Sequence, residues 1–366
     1  MSRRWCGVFA KLAVVTGAVL STAATTPAPG AAPAAGRSKA LVVVSDTALG
    51  PAFEWAKDVR WASDSAVYLA LAVDGTVQLN LGETVPKEIV PGRSRPGGFW
   101  SAARVGASTR YLVVAGPALS LTWQAMGNPS RSEKAVEVIE GIDVQDNRLA
   151  LLGAQRDAQG RFGGDGAIAW IGSLDRNLDD LKPIAYDVGG PGVPSMNRCM
   201  AAGLGAVRFL ADGTLLLVAG VQPGVELYDE KGTLLRTWET AKLGIDTDCG
   251  GLSEAQRQRI LGSSLERITW VNQRRTVDTV LPFAQGAGLV VRRVEKGHTL
   301  WDLKVLGRNG SVETQPLPFV GPSEYWRLQG DVRSGKVVFL LYELAFRGVK
   351  NHPAPPHLIV ARFPGG

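Results

Sequence analysis

Histidine and cysteine are scarce: each occurs three times in 366 residues. No histidine lies near Cys199 or Cys249 in sequence, so the pattern does not suggest a cysteine nucleophile with a paired base. Long apolar runs are also lacking. The stretch Val8 to Leu20 is broken by Lys11, Thr16 and Gly17, whereas crossing a bilayer takes about 20 apolar residues. Nothing further along is long enough, so no membrane span is expected in the mature chain. Helical periodicity is almost absent, which excludes a helix bundle. A large charge surplus is missing too. The net charge is +6, and Arg3, Arg4 and Lys11 supply half of it from the first residues. The other basic residues are scattered. Short pairs such as Arg274-Arg275 and Arg292-Arg293 are expected on solvated strand faces, and nucleic acid is not an expected partner.

What is present at the start has the layout of a secretory signal: a short basic segment, the apolar run, then small residues Ser21 to Ala24. Residues 1–24 are read as a cleaved signal, an uncleaved anchor being the alternative. Ser2-Arg3-Arg4 also resembles the start of a twin-arginine export signal. Residues 25–37 are almost entirely Thr, Pro, Ala and Gly and read as a flexible tether. A single folded body, 38–366, is then expected in the periplasm or outside the cell.

Apolar bursts, each after a turn, recur along that body. They are Ala66 to Val73, Tyr111 to Ala115, Leu149 to Leu152, Leu215 to Val221, Leu289 to Val291 and Val337 to Leu341. Their spacing averages about 50 residues, within the range of propeller blades. A strand packed between two neighbouring sheets is buried on both faces and loses its alternation, as in LLLVAGV and VVFLLYEL. The expected fold is all-β, a six-bladed propeller with seven blades as the alternative. Ala40 to Val44 is expected to complete a last blade of three strands that ends at Leu358 to Phe363, because an open ring would leave an exposed edge. One helix is expected at Ser253 to Leu261, capped by Ser253 and Gln256 and inserted near 253–262.

The segment FLADGTLLLVAGVQPGVELYDEKGTLLRTW (Phe209 to Trp238) resembles the blade of NHL-type and related bacterial six-bladed propellers. There a D-G turn precedes a buried strand and a Y-D-x-x-G hairpin closes the blade. The resemblance covers about half of the chain and implies a fold rather than an activity.

In such a fold, the loops into each blade and those between its second and third strands share one face. The long loops 156–165, 187–202, 240–264 and 345–357 fall there. Ligand-binding candidates are Trp100, Arg156, Arg161, Asp165, Arg198, Trp326, Arg347 and Lys350. The two tryptophans would stack a sugar or aromatic ring, and the basic residues would meet an anion. The remaining tryptophans are expected in inter-blade packing. Cys199 and Cys249, in loops of adjacent blades, are expected to form a disulfide worth roughly 4 kcal/mol. Asp246 and Asp248 are the candidate metal pair, with calcium the fitting ion; no other cofactor is expected. His352 and His357 flank a Pro-Ala-Pro-Pro loop.

Three readings of function follow. The first is a non-catalytic exported module that binds a protein, peptide or glycan through the loop-rich face. The second is a metal-dependent hydrolase or lactonase, drawing on Asp246, Asp248, Asn197 and Glu254. The third is a structural role in envelope assembly. A closed ring hides its own edges, so a monomer is expected.

Overall fold

The computed structural model describes residues 41–71, 75–83, 87–91, 99–105, 109–115, 120–125, 128–133, 136–155, 166–173, 181–186, 205–219, 224–246, 253, 255–256, 259–260, 263–344 and 353–363. Among these the strands form six four-stranded antiparallel sheets. The first holds β2 (Ala56–Ser63), β3 (Ala66–Leu71), β4 (Gly75–Asn80) and β5 (Lys87–Pro91), and the second β6 (Phe99–Val105), β7 (Thr109–Ala115), β8 (Ser120–Ala125) and β9 (Asn128–Glu133). The third holds β10 (Val136–Gln145), β11 (Arg148–Gln155), β12 (Ala167–Ser173) and β13 (Lys182–Tyr186), and the fourth β14 (Ala206–Phe209), β15 (Leu215–Val218), β16 (Gly224–Tyr228) and β17 (Leu234–Glu239). The fifth holds β18 (Thr276–Phe283), β19 (Gly286–Glu295), β20 (His298–Gly307) and β21 (Val312–Gly321). The sixth joins β22 (Trp326–Arg333), β23 (Lys336–Glu343) and β24 (His357–Arg362) to β1 (Val42–Ala48), which takes the fourth place.

First strands touch in succession: β2 with β6, β6 with β10, β10 with β14, β14 with β18, β18 with β22, and β22 with β2 again. The sheets therefore stand radially around an axis, face against face, and the protein is an all-β propeller. The strand β1 pairs with β24 from Val42↔Arg362 to Ala48↔His357, the closure expected from the sequence.

Burial on both sheet faces explains the unbroken apolar runs. Along β23, Val337, Phe339 and Leu341 enter the core against the fifth sheet, while Val338, Leu340 and Tyr342 enter the core against the first. On β15, Leu215 and Leu217 face the third sheet, and Leu216 and Val218 the fifth. Each such side chain contributes about 1.5–3 kcal/mol of burial. Large rings fill these seams too: Trp61, Trp301 and Trp326 lie in the cores between sheets, in keeping with the inter-blade role expected of most tryptophans, and Trp170 is buried as well.

The turns are chemically specified. In the fourth sheet the Asp212 carboxylate accepts from Thr214 N (3.1 Å) and Thr214 Oγ1 (2.6 Å). The Asp229 carboxylate accepts from Lys231 N (2.9 Å) and Thr233 N (2.7 Å). Gly232 closes that second hairpin at φ +84°, and a Cβ there would also meet Ile184 Cγ2 at 2.4 Å, so only glycine fits.

Two helical segments were not expected from the sequence. They are α1 (Thr240–Leu243) and α2 (Ser264–Asn272), both within or at the end of the stretch read as the loop 240–264. Ser263 caps α2 by accepting from Glu266 N at 3.3 Å. The expected cap at Ser253 is present: Gln256 N donates to Ser253 Oγ (3.3 Å) and Ser253 N to Gln256 Oε1 (2.8 Å).

Candidate functional site

Antiparallel topology puts the connections from second to third strands, and those from one sheet to the next, on one side of the ring. Those between β11 and β12, β13 and β14, β17 and β18, and β23 and β24 are the long ones expected there. This side is called the loop face below.

The first strand of each sheet leaves one edge toward the axis, with N–H groups that no ladder satisfies. Aspartates reach across to them. The Asp143 carboxylate on β10 accepts from Phe209 N on β14 at 2.8 Å. Asp278 on β18 accepts from Leu328 N on β22 at 3.1 Å, and Asp331 on β22 accepts from Trp61 N on β2 at 2.9 Å. Each carboxylate clasps the sheet that follows its own.

Four charged residues share one level of the ring. Arg60, Asp143, Arg208 and Asp331 pair with Tyr68, Ala150, Leu216 and Val338, two steps past each first hairpin. The arginines sit on opposite sheets, the first and fourth, and the aspartates on the third and sixth. Arg60 Nη2 lies 4.0 Å from Asp143 Oδ1, Arg208 Nε lies 3.8 Å from Asp143 Oδ2, and Arg208 Nη2 is paired with Asp331 Oδ1. Arg60 Nε also meets Asp58 Oδ2 at 3.1 Å. Two cations and two anions thus form a charged floor across the axis. Burial pushes the Asp143 carboxyl up to about 7, against the opposing pull of Arg60 and the Phe209 N–H. Burial raises Asp331 as well.

A cavity of about 220 Å³ lies on the loop-face side of this floor. Its walls include Lys57, Asp58 and Arg60 from β2, Gly141 from β10, Arg208 from β14, Asp278 and Thr279 from β18, Gln329 from β22 and Tyr342 from β23. A Cβ on Gly205 would meet Val218 O at 2.7 Å, and one on Gly141 would press on Val207 N at 3.2 Å, so the strands at this wall approach closely where glycine stands.

Beside the cavity, Asp278 is heavily engaged. It accepts from Trp301 Nε1 (2.7 Å) and faces Arg292 Nε at 3.4 Å. Arg292 donates to Val271 O and Thr276 Oγ1, both at 3.1 Å, tying the end of α2 to the fifth sheet. Arg327 donates to Asn272 Oδ1 at 2.9 Å. Burial first, then the neighbouring Arg327, pulls the Arg292 guanidinium down to about 9. The expectation that Arg292-Arg293 marks a solvated face is corrected for its first member, which is 0 % exposed. Lacking a continuous polar face, β19 puts Arg292 inward, where Asp278, Val271 O and Thr276 Oγ1 replace water. Arg293 instead stays near the surface against Asp302 at 3.1 Å.

Of the sequence candidates, Trp326 is 5 % exposed in the core between the fifth and sixth sheets, so packing occupies the ring that was considered for ligand stacking. Trp100 lies on the axial strand β6, paired with Val114. Asp246 is exposed; its Oδ2 accepts from Arg275 N at 2.9 Å, joining the two ends of the 247–274 insertion. His357 Nδ1 lies 2.9 Å from Asp46 Oδ1, across the β1–β24 pairing. Arg156, Arg161, Asp165, Asn197, Arg198, Cys199, Asp248, Cys249, Glu254, Arg347, Lys350 and His352 lie outside the described residues. Among the described residues no group of three or more His, Cys, Asp or Glu side chains converges as a metal site.

Sequence reading missed the axial charges. A signal was nevertheless present: Lys57-Asp58-Val59, Ile142-Asp143-Val144, Val277-Asp278-Thr279 and Gly330-Asp331-Val332 each set an aspartate in the strand before an apolar burst.

No protein-family model matches the chain, and no curated protein is similar to it in sequence. Solved structures do resemble it. A member of the DUF4221 family from Bacteroides vulgatus is 10% identical with a TM-score of 0.51, over 90% of this chain and 99% of that one. Streptogramin B lyase is 8% identical with a TM-score of 0.47, over 88% and 99%. Virginiamycin B lyase from Staphylococcus aureus is 8% identical with a TM-score of 0.43, over 87% and 98%. At such identities likeness speaks for fold and not for activity; the first of these comparisons agrees with the strand order in giving an all-β propeller.

Proposed function

We propose that this chain is an exported binding module, a six-bladed propeller in which each sheet is one blade, recognising a protein, peptide or glycan through its loop face. The observation that carries the reading is how the axial carboxylates are employed. Asp143, Asp278 and Asp331 each hold a backbone N–H of the next sheet, and Asp143 and Asp331 also face arginines. A carboxylate so engaged already commits lone pairs to inter-sheet contacts, which leaves fewer of them for a metal ion. That favours recognition over chemistry at the axis. The charge pairs lie across the axis beneath the cavity, so in this reading a ligand approaches from the loop-face side. Export, a cleaved signal and a Cys199–Cys249 bridge belong to the same proposal, because long surface loops outside the cytoplasm gain from a covalent tie.

The test combines elemental analysis of the purified protein with a thermal melt in the presence and absence of a chelator. An unchanged melt, with binding to an envelope fraction that weakens in Arg156→Ala and Arg347→Ala, is the expected result. A melting temperature that falls on chelation would overturn the reading in favour of the metal-dependent hydrolase.

A further inference from the structure

Lys57 is an extra residue in its strand. The pairing of β2 with β3 runs Ala56↔Leu71 and then Asp58↔Ala70, so Lys57 is skipped. The pairing of β18 with β19 skips Asp278 in the same way, between Val277↔Val291 and Thr279↔Val290. A bulge takes a side chain out of the alternation that would otherwise send it toward a neighbouring sheet, and both residues line the axial cavity.

Their surroundings differ. Asp278 is met by Trp301, Leu328 and Arg292. Among the other charges on the wall, Asp58 is held by Arg60 and by Val59 N at 2.9 Å, and Arg208 by Asp143 and Asp331. Lys57 has no hydrogen bond and no ion pair among the described residues. Lys57 is exposed as a residue, yet the protein around its amine removes enough water to pull it below the ordinary lysine range. A cation held this way gains when an anion arrives.

We propose that the axial cavity is a binding site for a short monocarboxylate, with the Lys57 ammonium as its counter-ion. The size is right: about 220 Å³ is roughly seven water molecules' worth of liquid, below the range of drug-sized pockets. The charge class follows from the walls. One unpaired cation balances one negative charge, and a dianion would meet the carboxylates of Asp58 and Asp278 across the same space. Thr279, Gln329 and Tyr342 supply polar groups for the rest of the molecule. This site is independent of recognition at the loop face, so either idea can fail alone.

Isothermal titration calorimetry of the purified protein with acetate, propionate, lactate and inorganic phosphate tests it. At least one monocarboxylate is expected to bind more tightly than phosphate. Lys57→Met is expected to weaken that binding tenfold or more, and Lys57→Arg to keep it within about threefold, as the charge remains. As a second readout, the Lys57 amine, followed by NMR after reductive methylation, should titrate at higher pH when the carboxylate is bound. No binding by any of the three carboxylates at millimolar concentration would sink the proposal. So would phosphate as the tightest ligand, or an unweakened Lys57→Met.

Discussion

The floor of the axial channel and the cavity just beside it use the same residue types to opposite ends. At the floor every charge has a partner: Arg60 and Arg208 lie between Asp143 and Asp331, and the aspartates also take backbone N–H groups from the next sheet. On the cavity wall, Lys57 stands without one among the described residues. Paired charges here act as architecture, because removing either member strands the other in a place water does not reach. An unpaired charge facing a cavity contributes little to the fold and is free to meet a ligand. Chemical identity therefore says less about role than the state of the partner does.

The contrast breaks most visibly at the floor. Asp331→Ala leaves the Trp61 N–H without an acceptor and Arg208 with Asp143 alone, at 3.8 Å, and is expected to cost about 3–5 kcal/mol in chemical denaturation. A loss under 1 kcal/mol would mean that the floor is ornamental. One step down in size, Arg292→Ala should cost nearly as much, because it takes a buried cation from beside Asp278 and the donor from Val271 O and Thr276 Oγ1, whereas Arg293→Ala, its neighbour in sequence, should cost less than about 1 kcal/mol. Comparable melting temperatures for these two variants would erase the distinction between buried and surface partners.

A pH series sharpens the comparison further. Asp143 holds its proton to about pH 7 in the folded chain, against the ordinary value of 3.8. Because the folded pKa is raised, the stability it contributes is fully present below about pH 4 and is lost as pH rises through 7. Denaturation midpoints across pH 4–8 should fall in that window for the wild type and fall less steeply in Asp143→Asn, where Asp331 alone keeps a raised carboxyl. The smallest effect belongs to Lys57→Met, expected to shift stability by no more than about 0.5 kcal/mol. A larger loss would show that Lys57 is structural after all.

Much of the fold was legible because blade packing writes itself into sequence. A second strand buried on both faces, such as Val337 to Leu341, has to be apolar at every position, and the Asp212-Gly213 turn before Leu215 has to bend. The closing strand was legible for a similar reason: an apolar segment ahead of the first repeat had nowhere else to pair. Helix α2 was missed although Ser263 and Glu266 form the very capping pattern recognised ten residues earlier, because β-branched Ile268, Thr269 and Val271 with Trp270 read locally as a strand. The axial site was the least legible. An aspartate inside a strand, as at Asp143 or Asp331, reads locally as a residue on a wetted face. What makes it buried and essential is the free edge of another sheet, 66 positions away for Asp143 and Phe209 and 270 for Asp331 and Trp61. Trp326 misled in the opposite direction, since a ring at a strand end looks the same whether it caps a channel or fills a seam.

The pairing of β1 with β24 has a consequence in time. During synthesis Val42 emerges more than 300 residues before Arg362, its eventual partner. At about 5–20 residues per second, the first strand waits roughly fifteen seconds to a minute with its edge bare. Val42, Val43 and Val44 stay 41–58 % exposed even after pairing, so until the ring shuts this apolar edge is open to pairing with another chain.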